Sequence, residues 1–187
     1  METCESKCNM AERIILDAGH GGRDSGAVYG ERVEKDDNLA MTLEVGKILE
    51  EMGFDVVYTR DEDIYQAPFR KATLANELGG DLFVSIHRNS SGTANQYQGV
   101  ETLIYSAGGF PEEVAENINE ELEDIGYINL GVEERPGLIV LNSTQMPAVL
   151  VEVGFLNSDT DNELFSTRFR ETARAIAEGI MESFEEL

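Results

Sequence analysis

Arg13-Ile14-Ile15-Leu16-Asp17-Ala18-Gly19-His20-Gly21-Gly22 is a short apolar run that ends in glycines and hands over one histidine. Leu82-Phe83-Val84-Ser85-Ile86-His87 repeats the arrangement. Brief apolar runs of about four to eight residues, bounded by glycine, read as buried strands. The chain around them alternates. Asp36 to Gly53 reads as a helix, with Leu39, Leu43, Val45, Leu49 and Met52 near one stripe and Gly53 as its stop. Phe54 to Thr59 is a β-branched strand, and Pro68 to Leu78 a helix with proline in its first turn. Gly99 to Ser106 reads as a strand, Glu112 to Ile125 as a helix, Leu138 to Leu141 and Ala148 to Val153 as two further strands, and about Thr167 to Phe184 as a last helix. Strands alternating with helices through short loops predict an α/β fold in which a mostly parallel sheet is covered on both faces.

Composition sets outer bounds. The 187 residues fit one domain. A net charge of −23 repels phosphate backbones, which excludes a nucleic-acid-binding role. No apolar run approaches the roughly 18 residues a membrane span needs. Residues Met1 to Glu12 lack the apolar core of a secretory signal, so none is expected there. The only cysteines, Cys4 and Cys8, fall in this stretch, so no disulfide staples the core. The expected organisation is a flexible leader over 1–12 and a single catalytic domain over 13–187.

The chemistry-bearing residues stand where such sheets bind ligands. Both histidines of the chain, His20 and His87, fall at the C-terminal ends of predicted strands, the edge at which open α/β sheets hold ligands. Glu34 precedes the first helix and completes a His, Glu, His set; two imidazoles and one carboxylate with a fourth position for water form a known catalytic zinc arrangement. The long spacing requires assembly from separate strand ends, since no H-E-x-x-H helix is present. Glu152 interrupts the apolar run Pro147-Ala148-Val149-Leu150-Val151-Glu152-Val153-Gly154-Phe155. A carboxylate in a core strand needs a partner. Beside a metal it serves as general base and then general acid.

Leu16-Asp17-Ala18-Gly19-His20-Gly21-Gly22, Glu34-Lys35 with Asn38-Leu39, Ser85-Ile86-His87 with Asn89, and Met146-Pro147 through Gly154-Phe155 resemble, in this order, the zinc-dependent N-acetylmuramoyl-L-alanine amidases of the Amidase_3 type found among bacterial cell-wall and sporulation enzymes. Thr59-Arg60-Asp61, Gly99-Val100-Glu101-Thr102 and Arg135-Pro136-Gly137-Leu138 add to the likeness, which covers roughly 13–184. The resemblance implies a central sheet of about six strands flanked by helices. It implies one zinc ion (Zn2+) held by His20, Glu34 and His87, and Glu152 as the catalytic glutamate. The reaction it implies is hydrolysis of the amide between the lactyl group of N-acetylmuramic acid and L-alanine of the peptidoglycan stem.

Two features shape further expectations. Arg88 follows His87 where a small residue is usual in the family, so its guanidinium is a candidate substrate contact that either meets a stem-peptide carboxylate or points to solvent. Only Ser90 to Gln98 separates the second histidine motif from the Gly-Val-Glu strand, too short for the zinc-blocking insertion of some relatives. The site is therefore expected to stand open in a monomer that needs no activator, at the cell wall or outside the cell. The acidic chain should bind anionic wall polymers weakly, and better as salt screens the repulsion. Two other readings compete: a zinc peptidase cutting within stem peptides, and an inactive peptidoglycan-binding regulator, against which the full ligand set and base argue.

Overall fold

The computed structural model describes residues 11–185. Most of the expected leader, including Cys4 and Cys8, lies outside the described residues. The strands are β1 (Arg13–Ala18), β2 (Val28–Tyr29), β3 (Arg32–Val33), β4 (Asp55–Tyr58), β5 (Leu82–Asn89), β6 (Val100–Ile104), β7 (Asn129–Glu134) and β8 (Ala148–Phe155). The helices are α1 (Glu34–Met52), α2 (Pro68–Leu78), α3 (Phe110–Asp124), α4 (Ile139–Asn142), α5 (Asp159–Thr167) and α6 (Phe169–Glu185). Six strands form one sheet in the order β4-β1-β5-β8-β6-β7; β2 and β3 make a separate hairpin. Within the sheet β6 runs antiparallel to β8 and every other pairing is parallel, which agrees with the mostly parallel sheet expected.

Strand alternation divides the core in two. Ile14, Leu16, Val84, Ile86, Val149 and Val151 face one way and pack with α1, α3 and α6. Ile15, Phe83, Leu103 and Leu150 face the other way and meet Ala75 of α2 and Val140 and Leu141 of α4. A sheet apolar on both faces explains why β1, β5 and β8 read as nearly continuous apolar runs. It also leaves their C-terminal edge as the place where polar side chains can gather.

Several elements differ from expectation. Leu138 to Leu141 is not a strand: its last residues open the short helix α4, because a four-residue apolar run has no period and here one side caps the sheet. The edge strand β7, the helix α5 and the hairpin strands β2 and β3 lie where no element is expected. β7 has no fully buried residue, and α5 buries only Asp161 and Phe165, so neither carries a long apolar stripe.

Candidate metal centre

His20, Glu34 and His87 converge at the C-terminal edge of the sheet. His20 Nε2 and His87 Nδ1 each lie 3.2 Å from the same oxygen, Glu34 Oε1. One ligand-capable atom from each of the three side chains lies within 4.8 Å of the others. The rings stand edge to face with centroids 5.1 Å apart. A donor set of two imidazoles and one carboxylate in so small a volume suits a divalent cation, zinc above all.

The backbone is shaped for this convergence. His20 adopts φ 59°, a left-handed conformation that costs a non-glycine residue energy and marks constrained sites. A Cβ on Gly19 would lie 2.3 Å from the His87 ring, and one on Gly26, at φ +63°, would lie 2.4 Å from Glu34 Oε2 and 2.6 Å from the His20 ring. These two glycines are the room in which the three side chains meet. Glu34, expected ahead of the first helix, is the first residue of α1. Its Oε2 accepts the Ala27 N–H at 2.8 Å, and its Oε1 accepts from Asn38 Nδ2 at 3.2 Å and from the Arg88 N–H at 3.3 Å.

Asp24 is a site residue that sequence reasoning passed over. Its Oδ2 lies 2.9 Å from His20 Nδ1. A carboxylate there fixes a proton on Nδ1 and leaves Nε2 free as a ligand. Its position four residues after His20, in the same glycine-rich loop, was the available signal. Burial, the largest single influence on His20, lowers its pKa, but hydrogen bonds and charge from Glu34 and Asp24 outweigh it and raise the pKa to about 9. Burial likewise opposes ionisation of Glu34, yet the two histidines hold its carboxyl well below the usual range. The negative field that favours a proton on His20 is the field that draws a cation.

Glu152 sits in β8 in register with His87 of β5 on one side and Glu101 of β6 on the other. Its Oε2 is enclosed and finds no hydrogen-bond partner among the described residues. Burial, chiefly, pushes its carboxyl up to about 7; the charge of His87 pulls down, and those of Glu34 and Glu101 push further up. This has a consequence for stability. A carboxyl raised from 4.5 to about 7 on folding costs nothing below the unfolded value, where both states are protonated. The cost grows as pH rises through that window and stays at about 3 kcal/mol above it. Glu152→Gln should therefore stabilise the metal-free protein by about that amount at pH 8 and hardly at all at pH 4. Urea unfolding of chelator-treated protein at the two pH values measures the difference; equal effects at both would remove the carboxyl from a buried setting.

Arg88 requires a correction. It is 2% exposed and neither meets solvent nor lines the cavity. Its guanidinium reaches Asp37 at 2.7 Å and Asn162 Oδ1 at 2.9 Å, and lies over the Phe165 ring at 4.2 Å. Neighbouring residues of a strand point to opposite faces, so the residue after His87 is turned away from the site. Arg88 is a buried tie between β5, α1 and α5.

Beside the cluster a cavity of about 290 Å³ is polar at Asp24 and Lys71 and apolar at Pro68, Leu138 and Ile139. An open, largely parallel α/β sheet with this cluster at its ligand-binding edge, and an enclosed glutamate one strand over, has the make-up of a metal-dependent hydrolase. The comparisons narrow the class. Residues 14–182 match the N-acetylmuramoyl-L-alanine amidase family, to which the chain belongs. It is 31% identical over 190 residues to the germination-specific N-acetylmuramoyl-L-alanine amidase of Bacillus subtilis, covering 92% of this chain and 80% of that protein. The CwlD amidase of Clostridioides difficile, solved in complex with the GerS lipoprotein, superposes with a TM-score of 0.85 at 30% identity over 94% of this chain and 100% of that one. The catalytic domain of the CwlV amidase from Bacillus (Paenibacillus) polymyxa gives 0.84 at 34% identity, over 93% and 98%. The chain is a peptidoglycan amidase of this α/β fold, and no helix among the described residues is long and apolar enough to cross a membrane.

Proposed function

We propose that residues 13–187 form the catalytic unit, that His20, Glu34 and His87 hold one zinc ion, and that Glu152 is the proton carrier for cleavage of the amide between the lactyl group of N-acetylmuramic acid and L-alanine. The convergence of two imidazoles on one Glu34 oxygen carries this reading. When bound, zinc supplies a Lewis acid that polarises the amide carbonyl and acidifies water. Glu152 contributes the rest of the acid–base work. Its setting near neutrality lets it accept a proton from the attacking water and release it to the departing alanine nitrogen. Asp24 keeps the His20 proton on Nδ1, so that Nε2 stays available. The apolar wall of Pro68, Leu138 and Ile139 suits the methyl groups of the lactyl and alanyl units flanking the bond.

Digestion of purified peptidoglycan followed by mass analysis tests the reaction. Glycan that keeps its lactyl groups, together with free stem peptides beginning in L-alanine, is the expected outcome; cuts between amino acids would install the peptidase reading instead. We further propose that the protein acts at the cell wall or outside the cell, as a monomer and without an activator, since only a short connection joins β5 to β6. Asp24→Asn should weaken zinc binding by about 10- to 100-fold without unfolding the protein, as competition with a chromophoric chelator would measure.

A further inference from the structure

Arg60 lies in the loop after β4 and is 2% exposed. No carboxylate among the described residues lies within ion-pair distance of it, so its charge is not buried for the sake of a salt bridge. Its donors all go to main-chain carbonyls. Nε donates to Ala18 O at 3.0 Å and Nη2 to Gly19 O at 3.0 Å, in the segment that delivers His20. Nη2 also donates to Lys35 O at 3.0 Å, the carbonyl of the residue that follows Glu34, and Nη1 donates to Glu62 O at 3.1 Å. One planar fork thus grips the chain immediately before one proposed ligand and immediately after another.

The grip falls where the backbone needs it. The Gly19 carbonyl belongs to the peptide leading into His20, whose left-handed φ persists only where the surroundings hold it. Asn38 adds a second strut between the same two segments, from Nδ2 to Gly19 O at 3.3 Å and to Glu34 Oε1 at 3.2 Å. Arginine suits this task and lysine does not, because the guanidinium presents fixed, divergent N–H groups whereas an ammonium is a compact point charge on a flexible stem.

We propose that Arg60 is a positioning residue for the metal centre: by tying the carbonyls of Gly19 and Lys35 together it sets the separation of His20 and Glu34. The proposal rests on the reading of His20, Glu34 and His87 as metal ligands, and the experiment separates the two. Full-length protein is titrated with Co2+, whose d–d absorption reports coordination geometry, and zinc affinity is obtained by competition. Wild type should bind one ion per chain, and His87→Ala should lose it; no Co2+ spectrum in wild type would overturn the metal reading and this proposal with it. Arg60→Lys should bind Co2+ at least about 10-fold more weakly and with shifted bands. Arg60→Gln should do the same where it folds. Asn119→Ala is the control, since it removes a buried side chain that serves Thr102 and Gly131 in the β6–β7 edge of the sheet, with no bond to the segments carrying His20 or Glu34. It should lower the melting temperature while leaving affinity and spectrum as in wild type. A folded Arg60→Lys protein with wild-type affinity and bands would overturn the positioning role while leaving the metal centre intact.

Discussion

Glu152→Gln is expected to lower kcat/KM on peptidoglycan by on the order of 10³-fold while zinc content stays at wild type. Glutamine fills nearly the same volume, so β8 and its register with His87 and Glu101 are preserved. What disappears is the capacity to take and return a proton. Because Glu152 touches none of the three proposed ligands by a hydrogen bond, metal retention and activity should separate cleanly. The measurement pairs metal analysis of the purified variant with turnover on muropeptides. Turnover within about 10-fold of wild type would transfer the acid–base role to another group. Loss of zinc along with activity would mean that Glu152 holds the centre together rather than working beside it.

The second large effect is on stability. Lys71 of α2 and Asp17 of β1 form a buried ion pair at 2.8 Å, with side chains 4% and 1% exposed. Burial is the strongest influence on Asp17 and opposes its charge. The charge and hydrogen bond of Lys71, with hydrogen bonds from Thr59 Oγ1 and Ser85 Oγ, nonetheless hold its carboxyl below the usual range. Lys71→Met removes the counter-charge and leaves the carboxylate enclosed, which should cost about 3–5 kcal/mol of unfolding free energy. The pair's contribution is present above the ordinary aspartate pKa and fades as pH falls through the lowered value, so the variant's deficit should shrink in acid. Asp17→Asn in the Lys71→Met background should recover most of the loss, since no charge then remains buried. Urea unfolding of the two variants decides the matter; a single variant as stable as wild type would show the pair to be neutral in sum.

Parts of this molecule were readable before any coordinates, for identifiable reasons. His20, His87 and Glu152 stand out because each breaks its local pattern: an imidazole at the end of an apolar run, a carboxylate inside one. The parallel sheet was readable because strands buried on both faces are nearly uninterrupted apolar runs. β7 was not, since Asn129–Glu134 is a half-exposed edge with two large apolar residues. α4 reads as a strand in the sequence because Leu138 to Leu141 carries no period. The misplacement of Arg88 has a different source: strand parity, once β5 is granted, already turns it away from His87. The roles of Asp24 and Arg60 depend on how loops fold back on one another, and pairing of that kind leaves no periodic trace.

The positions of these residues along the chain set an order in which the protein acquires its properties. His20, Glu34 and His87, the three proposed cation-gripping groups, all precede Glu152 along the chain, so a growing polypeptide has them before it has the proposed acid. That acid arrives on β8, which has to slot between β5 and β6, both already synthesised. On that reading the nascent protein can grip a cation before it can sever the wall.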